Sequence, residues 1–162
     1  MQASKEKLFH HYISSSLGYL LIQCSEKGLR SIDFVSKKDL DHSSDICKKT
    51  AQQIFEFFEN KRKHFEIPFD LLGTPFHIKV WQSLYQVKFG ETISYSELAR
   101  NAQSPKAVRA VGNAVGKNPI PIIVPCHRII RNDGTIGGYS GGIEKKIWLL
   151  RFEHCKLPKG FS

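Results

Sequence analysis

Apolar positions along the 162-residue chain change their period from segment to segment, and the changes outline the elements. Tyr19 to Cys24 and Leu29 to Val35 are short apolar runs around the turn Ser25-Glu26-Lys27-Gly28, the pattern of a β-hairpin. Lys37 to Ser44 is polar and reads as loop. Asp45 to Asn60 places Ile46, Ile54, Phe55, Phe57 and Phe58 at helical spacing, and Phe65 to Phe69 reads as a short strand. Gly73-Thr74-Pro75 breaks the pattern. Thr74 is a helix cap with Pro75 at the first position of a helix running to about Val87, with Phe76, Val80, Trp81 and Leu84 inward.

Two short helices are predicted next. Ser94 and Glu97 form a capping-box pattern ahead of Tyr95 to Ala102. Ser104 caps and Pro105 opens a second helix ending near Gly116. On that helix Ala107, Val108, Val111, Ala114 and Val115 share one face, and Lys106, Arg109, Asn113 and Lys117 share the other. The pair is a helix-turn-helix candidate whose second helix offers a basic face to DNA. A last helix, about Ile143 to His154, packs Ile147, Trp148, Leu150 and Phe152 and carries Glu153. The fold class expected is mixed α/β (α+β). A small sheet-plus-helix lobe spans residues 1–72, and a mostly helical lobe with the helix-turn-helix spans 73–162.

Charge sharpens this division. Residues 1–72 carry 11 Lys+Arg against 10 Asp+Glu, a net of +1, whereas residues 73–162 carry 13 against 5, a net of +8. The excess in the second half points to a polyanion. Hydrophobic residues make up 41% and charged residues 24%, the balance of a globular protein with a core. No run approaches the ~20 apolar residues of a membrane span. The expectation is a cytoplasmic protein with no membrane association, its four cysteines free thiols in a reducing compartment.

The chemistry concentrates after the second helix. Asn118-Pro119-Ile120-Pro121-Ile122-Ile123-Val124-Pro125-Cys126-His127-Arg128 carries three prolines in seven residues, which excludes a regular helix or central strand. A rigid, buried, extended segment delivering Cys126 to one place is expected. His127 and Arg128 are the residue types that lower a thiol pKa, and a bridging water is an alternative to direct contact between Cys126 and His127. Cys24, Cys47 and Cys155 lack such a frame and read as buried structural thiols. The loop Gly137-Gly138-Tyr139-Ser140-Gly141-Gly142 offers backbone N–H groups at close approach to a ligand. Cys24, Cys47, His10, His11 and His42 have no persuasive ligand spacing, so no metal is expected, and no cofactor.

GTPFHIKVWQSL, SYSELA, AVRAVGNAVGKNPIPIIVPCHRII, and GGYSGG with the later Glu153 together resemble the O6-alkylguanine-DNA alkyltransferases over roughly Gly73 to Glu153. The resemblance implies direct, irreversible transfer of an alkyl group from O6 of guanine to Cys126, once per molecule. It implies His127 as the base acting through water, Glu153 as the carboxylate orienting it, Asn118 as a hinge, and Tyr95 as the donor to the departing guanine. Arg109 would fill the gap left by a flipped base. The basic face, with Ser104, Lys106, Asn113 and Lys117, would contact DNA in the minor groove. Val124, Tyr139, Ser140 and Gly141 would wall the base pocket. The implied partner is double-stranded DNA containing O6-alkylguanine, bound by a monomer. A non-catalytic alkyltransferase-like lesion-binding protein is the alternative, although such proteins commonly carry tryptophan where this chain has Cys126. A Cys-His hydrolase leaves the basic helix unexplained, and a helix-turn-helix regulator leaves the cysteine unexplained.

Overall fold

The computed structural model describes residues 5–161, and the chain divides into two compact units between Leu72 and Gly73. In the first unit, β1 (Phe9–Ser15), β2 (Gly18–Cys24) and β3 (Leu29–Val35) form an antiparallel sheet in that order, and α1 (Asp45–Phe58) packs on it. The core is Leu20, Ile22 and Cys24 from β2, Leu29 and Ile32 from β3, and Cys47, Ile54 and Phe57 from α1. Each large aliphatic or aromatic side chain buried there contributes about 1.5–3 kcal/mol. Ser44 caps α1 by accepting a hydrogen bond from the Cys47 N–H at 3.3 Å.

Two expectations for this unit change. β1 was not expected, because its Phe-His-His-Tyr start has no apolar alternation, yet it pairs with β2 from Phe9↔Cys24 to Ser15↔Gly18. Phe65 to Phe69 is not a strand. It makes one parallel bridge, Leu29↔Phe69, and Gln53 takes over its other backbone bonding. Gln53 Nε2 donates to the Glu66 carbonyl at 3.1 Å, and its Oε1 accepts from the Glu66 N–H at 2.9 Å. Pro68, with no N–H, further limits a ladder. Gly28 lets this segment approach, since a Cβ there would lie 2.5 Å from the Pro68 carbonyl oxygen.

The second unit holds α2 (Pro75–Tyr85), β4 (Ile93–Ser94), α3 (Tyr95–Asn101), α4 (Val108–Gly116), β5 (Ile129–Ile130) and α5 (Ile143–Phe152). Thr74 and Ser94 cap α2 and α3, accepting from His77 and Glu97 N–H groups at 3.1 Å each. The helix starting at Pro105 is shorter than its pattern: α4 begins at Val108 after Ala107, which has no side-chain cap. Ser104 turns away, its hydroxyl donating to the Ala102 carbonyl, while its own carbonyl accepts from the Ala107 N–H. The Ser104-Pro105-Lys106 stretch is therefore a turn, and Lys106 stands ahead of the helix.

α4 buries Val111, Ala114 and Val115, and Trp81 of α2 donates its indole N–H to the Ala114 carbonyl at 2.8 Å. Beyond it, the proline-rich segment is buried as expected but is not extended. It runs as consecutive turns, with the Val124 N–H bonded to the Ile120 carbonyl and Ile122 at φ +73°. A β-branched residue in that region is strained, and its complete burial holds it there. The segment ends in one 3₁₀ turn, Cys126–Arg128, and β5 then pairs in parallel with β4. That pairing fixes the start of the helix-turn-helix against the segment bearing Cys126. Among the described residues, no helix is long and apolar enough to cross a membrane.

Candidate active site

Cys126 opens onto a cavity of about 340 Å³ lined also by Tyr95, Gly112, Val115, Gly116, Gly138, Tyr139 and Ser140. The volume is at the lower end of small-molecule sites. The floor is the 3₁₀ turn, one wall is α4, Tyr95 comes from the start of α3, and the glycine-rich loop closes the other side. A hollow of about 350 Å³ beside it shares Tyr95, Gly112 and Gly138 and adds Arg131 and Asn132. Gly137, at φ +70°, passes so close to Tyr95 that a Cβ would lie 3.1 Å from the phenol oxygen.

The two residues after the thiol, His127 and Arg128, belong to a buried charged cluster. His127 Nε2 lies 2.7 Å from Glu153 Oε1. Arg128 Nη2 donates to Glu153 Oε1 and Arg128 Nε to Oε2, both at 2.8 Å, while Arg128 Nη1 donates to the Val87 carbonyl at 2.6 Å. Burial would raise the Glu153 pKa, but its bonds to His127 and Arg128 outweigh that and bring it to about 2. An ionised carboxylate only accepts, so the His127 proton resides on Nε2 and Nδ1 is the free lone pair. Nδ1 has no hydrogen-bond partner.

Burial lowers the His127 pKa more than Glu153 raises it, so the imidazole is neutral at rest. Burial also raises the Cys126 pKa, against the opposing effects of Asn118 and Lys146. This corrects the expectation from the adjacent cations: Arg128 is committed to Glu153, and the resting thiol is protonated. A protonated thiol must lose its proton before it can attack, and a neutral imidazole is a group able to accept one.

Asn118 is buried, with Nδ2 donating to the Val124 carbonyl at 2.7 Å and Oδ1 accepting from the Ile120 N–H at 3.1 Å, which pins the turns before Cys126. Val124 is behind the site, its carbonyl engaged by Asn118, and neither Val124 nor Gly141 lines the cavity. Arg109 and Asn113 on α4 and Lys117 just after it are exposed, as is Lys106 in the preceding turn; Ser104 is half-buried. Sequence reasoning missed the Arg128–Glu153 pair and the fully buried Lys146, whose Nζ donates to the Ile129 carbonyl at 2.6 Å and the Gly138 carbonyl at 3.1 Å. A lysine on an amphipathic helix carries no signal that it points inward.

A helix-turn-helix unit that holds a thiol at a small cavity defines a class of proteins in which a cysteine can react with a bound group. Comparison with known proteins narrows the class. The family described as 6-O-methylguanine DNA methyltransferase matches through its ribonuclease-like domain at residues 8–71 and its DNA binding domain at residues 75–155. A methylated-DNA–protein-cysteine methyltransferase from Methanosarcina barkeri is 36% identical, over 93% of this chain and 99% of its own length. The inducible one from Bacillus subtilis is 38% identical, over 91% and 86%. The Mycobacterium tuberculosis O6-methylguanine methyltransferase crystal structure has a TM-score of 0.82 at 33% identity, covering 94% of this chain and 96% of that one. A structure of the M. tuberculosis protein in complex with DNA gives 0.81 at 35%, covering 93% and 95%. The chain belongs to the 6-O-methylguanine DNA methyltransferase family.

Proposed function

We propose that this protein repairs DNA by moving an alkyl group, typically methyl, from O6 of guanine onto Cys126, in one irreversible turnover. The observation that carries the proposal is Cys126 at the floor of the cavity, followed in the same turn by His127 with its Nδ1 free and its Nε2 locked to Glu153. His127 Nδ1 takes the thiol proton through a water, and the thiolate attacks the alkyl carbon in line. The S–C bond forms as the C–O bond breaks, and the electron pair leaves on guanine O6. Tyr95, whose phenol burial keeps protonated, donates to the departing base, as does the Ser140 backbone N–H. The product thioether has no group beside it able to reverse the step.

The target carbon is stacked inside duplex DNA, so the base is extruded at a cost of a few kcal/mol. The exposed face of α4 meets the minor groove, Arg109 occupies the vacated space, and Lys106, Asn113 and Lys117 hold the backbone. The protein acts as a cytoplasmic monomer and needs no metal or cofactor for this step.

Incubating the protein with duplex DNA bearing O6-methylguanine and measuring the mass of the Cys126 peptide tests the proposal. One added methylene mass (CH₂) per chain, restricted to that peptide, is expected. Binding without an adduct would favour the lesion-binding alternative, and turnover of an ester or peptide the hydrolase.

A further inference from the structure

β1 is an edge strand of the first unit's sheet, with β2 on one side only. Its outer edge is covered at one end. His10 exchanges backbone hydrogen bonds with His42 at 2.8 and 3.0 Å, and the Tyr12 N–H donates to the Asp41 carboxylate at 2.8 Å. Backbone groups of a strand in an antiparallel pair alternate between its two edges, so the N–H and carbonyl of Ser14 face outward like those of His10 and Tyr12. Among the described residues nothing bonds to the Ser14 N–H, the Ser14 carbonyl or the Tyr12 carbonyl. An uncovered strand edge is a template for another extended chain.

A groove of about 680 Å³ runs beside this open edge. One side is the end of β1 from Ile13 onward, and the other is a stripe of α1 in which Lys48, Gln52, Phe55 and Glu59 follow at helical spacing. Phe55 is 57% exposed there, a large apolar side chain turned to water beside unpaired backbone. The charged groups on the rim differ. Glu59 is paired with Lys61 at 2.6 Å and His11 with Asp41 at 2.9 Å, whereas Lys48 has no partner among the described residues. The groove thus combines an apolar wall, a strand edge and an uncommitted ammonium.

We propose that this groove binds an extended peptide segment of a partner protein, which joins the three-stranded sheet beside Tyr12 and Ser14, lays alternate apolar side chains against Ile13 and Phe55, and sets a carboxylate against Lys48. Alternate side chains of an added strand fall on one face, which lets a single peptide use both the edge and the groove. A small apolar molecule would leave the open backbone groups and Lys48 unused. A second copy of this chain fits less well: its own β1 is open over the same short stretch only, and it brings another unpaired Lys48 and a net charge of +9. The site lies wholly in the first unit, and the proposal does not depend on Cys126 being an alkyl acceptor.

The test presents the whole immobilised protein with a pool of blocked heptapeptides Xaa-Thr-Xaa-Thr-Xaa-Thr-Xaa, Xaa being Val, Leu, Phe, Glu or Lys, and reads the retained sequences by mass spectrometry. Peptides that carry successive apolar Xaa positions and a Glu should be enriched about tenfold or more over the pool. Retention of no peptide, or of Lys as readily as Glu, overturns the proposal. Lys48→Glu should reverse the preference from Glu to Lys. Phe55→Ser should weaken the best peptide about tenfold or more, as loss of an aromatic anchor does. Ser14→Pro removes the outward N–H and leaves the β1–β2 ladder intact, since proline is tolerated on an edge strand. It should weaken the same peptide about tenfold, through the lost hydrogen bond and the ring in its path. Unchanged affinity would mean that the peptide does not add as a strand, and overturns the proposal. Thermal unfolding checks each variant's fold, and should Ser14→Pro not fold, the best peptide N-methylated at its central residues makes the same test on the unaltered protein. A protein that retains no peptide and sediments as a dimer assigns the edge to a second copy, and overturns the proposal as well.

Discussion

Cys47 in the first unit and Cys126 in the second are both buried at the start of a helical turn, and they differ in what surrounds them. Cys24 and Cys47 interact thiol to thiol, which holds one proton of the pair more tightly and, with help from the helix cap at Ser44, lets the other leave more readily. By acidity alone, this pair would offer the better nucleophile. Yet the large groove of the first unit, about 680 Å³ between β1 and α1, is lined by residues such as Ile13, Lys48, Phe55 and Phe58 and reaches neither Cys24 nor Cys47. Burial raises the pKa of Cys126, but its thiol opens onto a cavity that the Tyr95 and Tyr139 phenols also line, and the next residue in the turn is a neutral imidazole. In the proposed reaction, access and a base at hand make the thiol a site, and its resting pKa is secondary because proton removal is part of that reaction.

The sharpest break of this comparison is to exchange the two sulfurs' roles by deletion. Cys126→Ala should abolish methyl uptake while DNA binding, read by gel shift, persists. Cys47→Ala should leave the single-turnover rate within about twofold, because that thiol makes no contact with the cavity. Uptake surviving in Cys126→Ala would move the acceptor elsewhere.

Next in size is the carboxylate behind the base. Glu153→Gln removes the anion that sets the His127 tautomer and leaves Arg128 buried without a counter-charge. The transfer rate should fall by about 10²–10⁴-fold, the usual worth of a positioned base. Stability should drop by about 3–5 kcal/mol, as for other broken buried pairs, read by urea denaturation. Above pH 4.5 the wild type holds the full contribution of Glu153, and it loses it as pH falls toward 2, because the folded pKa is depressed.

Arg109→Ala leaves the chemistry of Cys126 untouched and should act only where a base must be extruded. A fall of roughly tenfold to a hundredfold on duplex DNA, with little change on free O6-methylguanine base, is expected from a share of the few-kcal/mol extrusion cost. Equal losses on both substrates would remove the residue from base extrusion.

The smallest effect is the acid limb of the transfer rate. His127 has a folded pKa below its ordinary 6.5, so the base stays competent as pH falls through that value and is lost only below it. The single-turnover rate should then fall about tenfold per pH unit. A limb centred above 6.5 would mean that an imidazolium, not the neutral ring, is the resting form.

The sequence carried a large part of this molecule. The hairpin of β2 and β3, the caps at Thr74 and Ser94, the basic second half and the proline-framed Cys126 follow from short-range pattern, because turns, caps and periodicity are local properties of the chain. The elements it misplaced were decided at longer range. β1 lacks alternation and exists because β2 offers a partner. Phe65 to Phe69 lost its ladder to the Gln53 side chain. The turn at Ser104 delayed the start of α4 to Val108.

The same division runs through the site. Cys126 and His127 are adjacent in sequence and legible there. That Arg128 turns to Glu153, that Lys146 points inward, and that burial protonates the thiol and neutralises the imidazole depend on which groups the fold withdraws from water. Desolvation and charge pairing act between atoms far apart along the chain. Residue order names the reactive groups, and only the packed structure sets their protonation states.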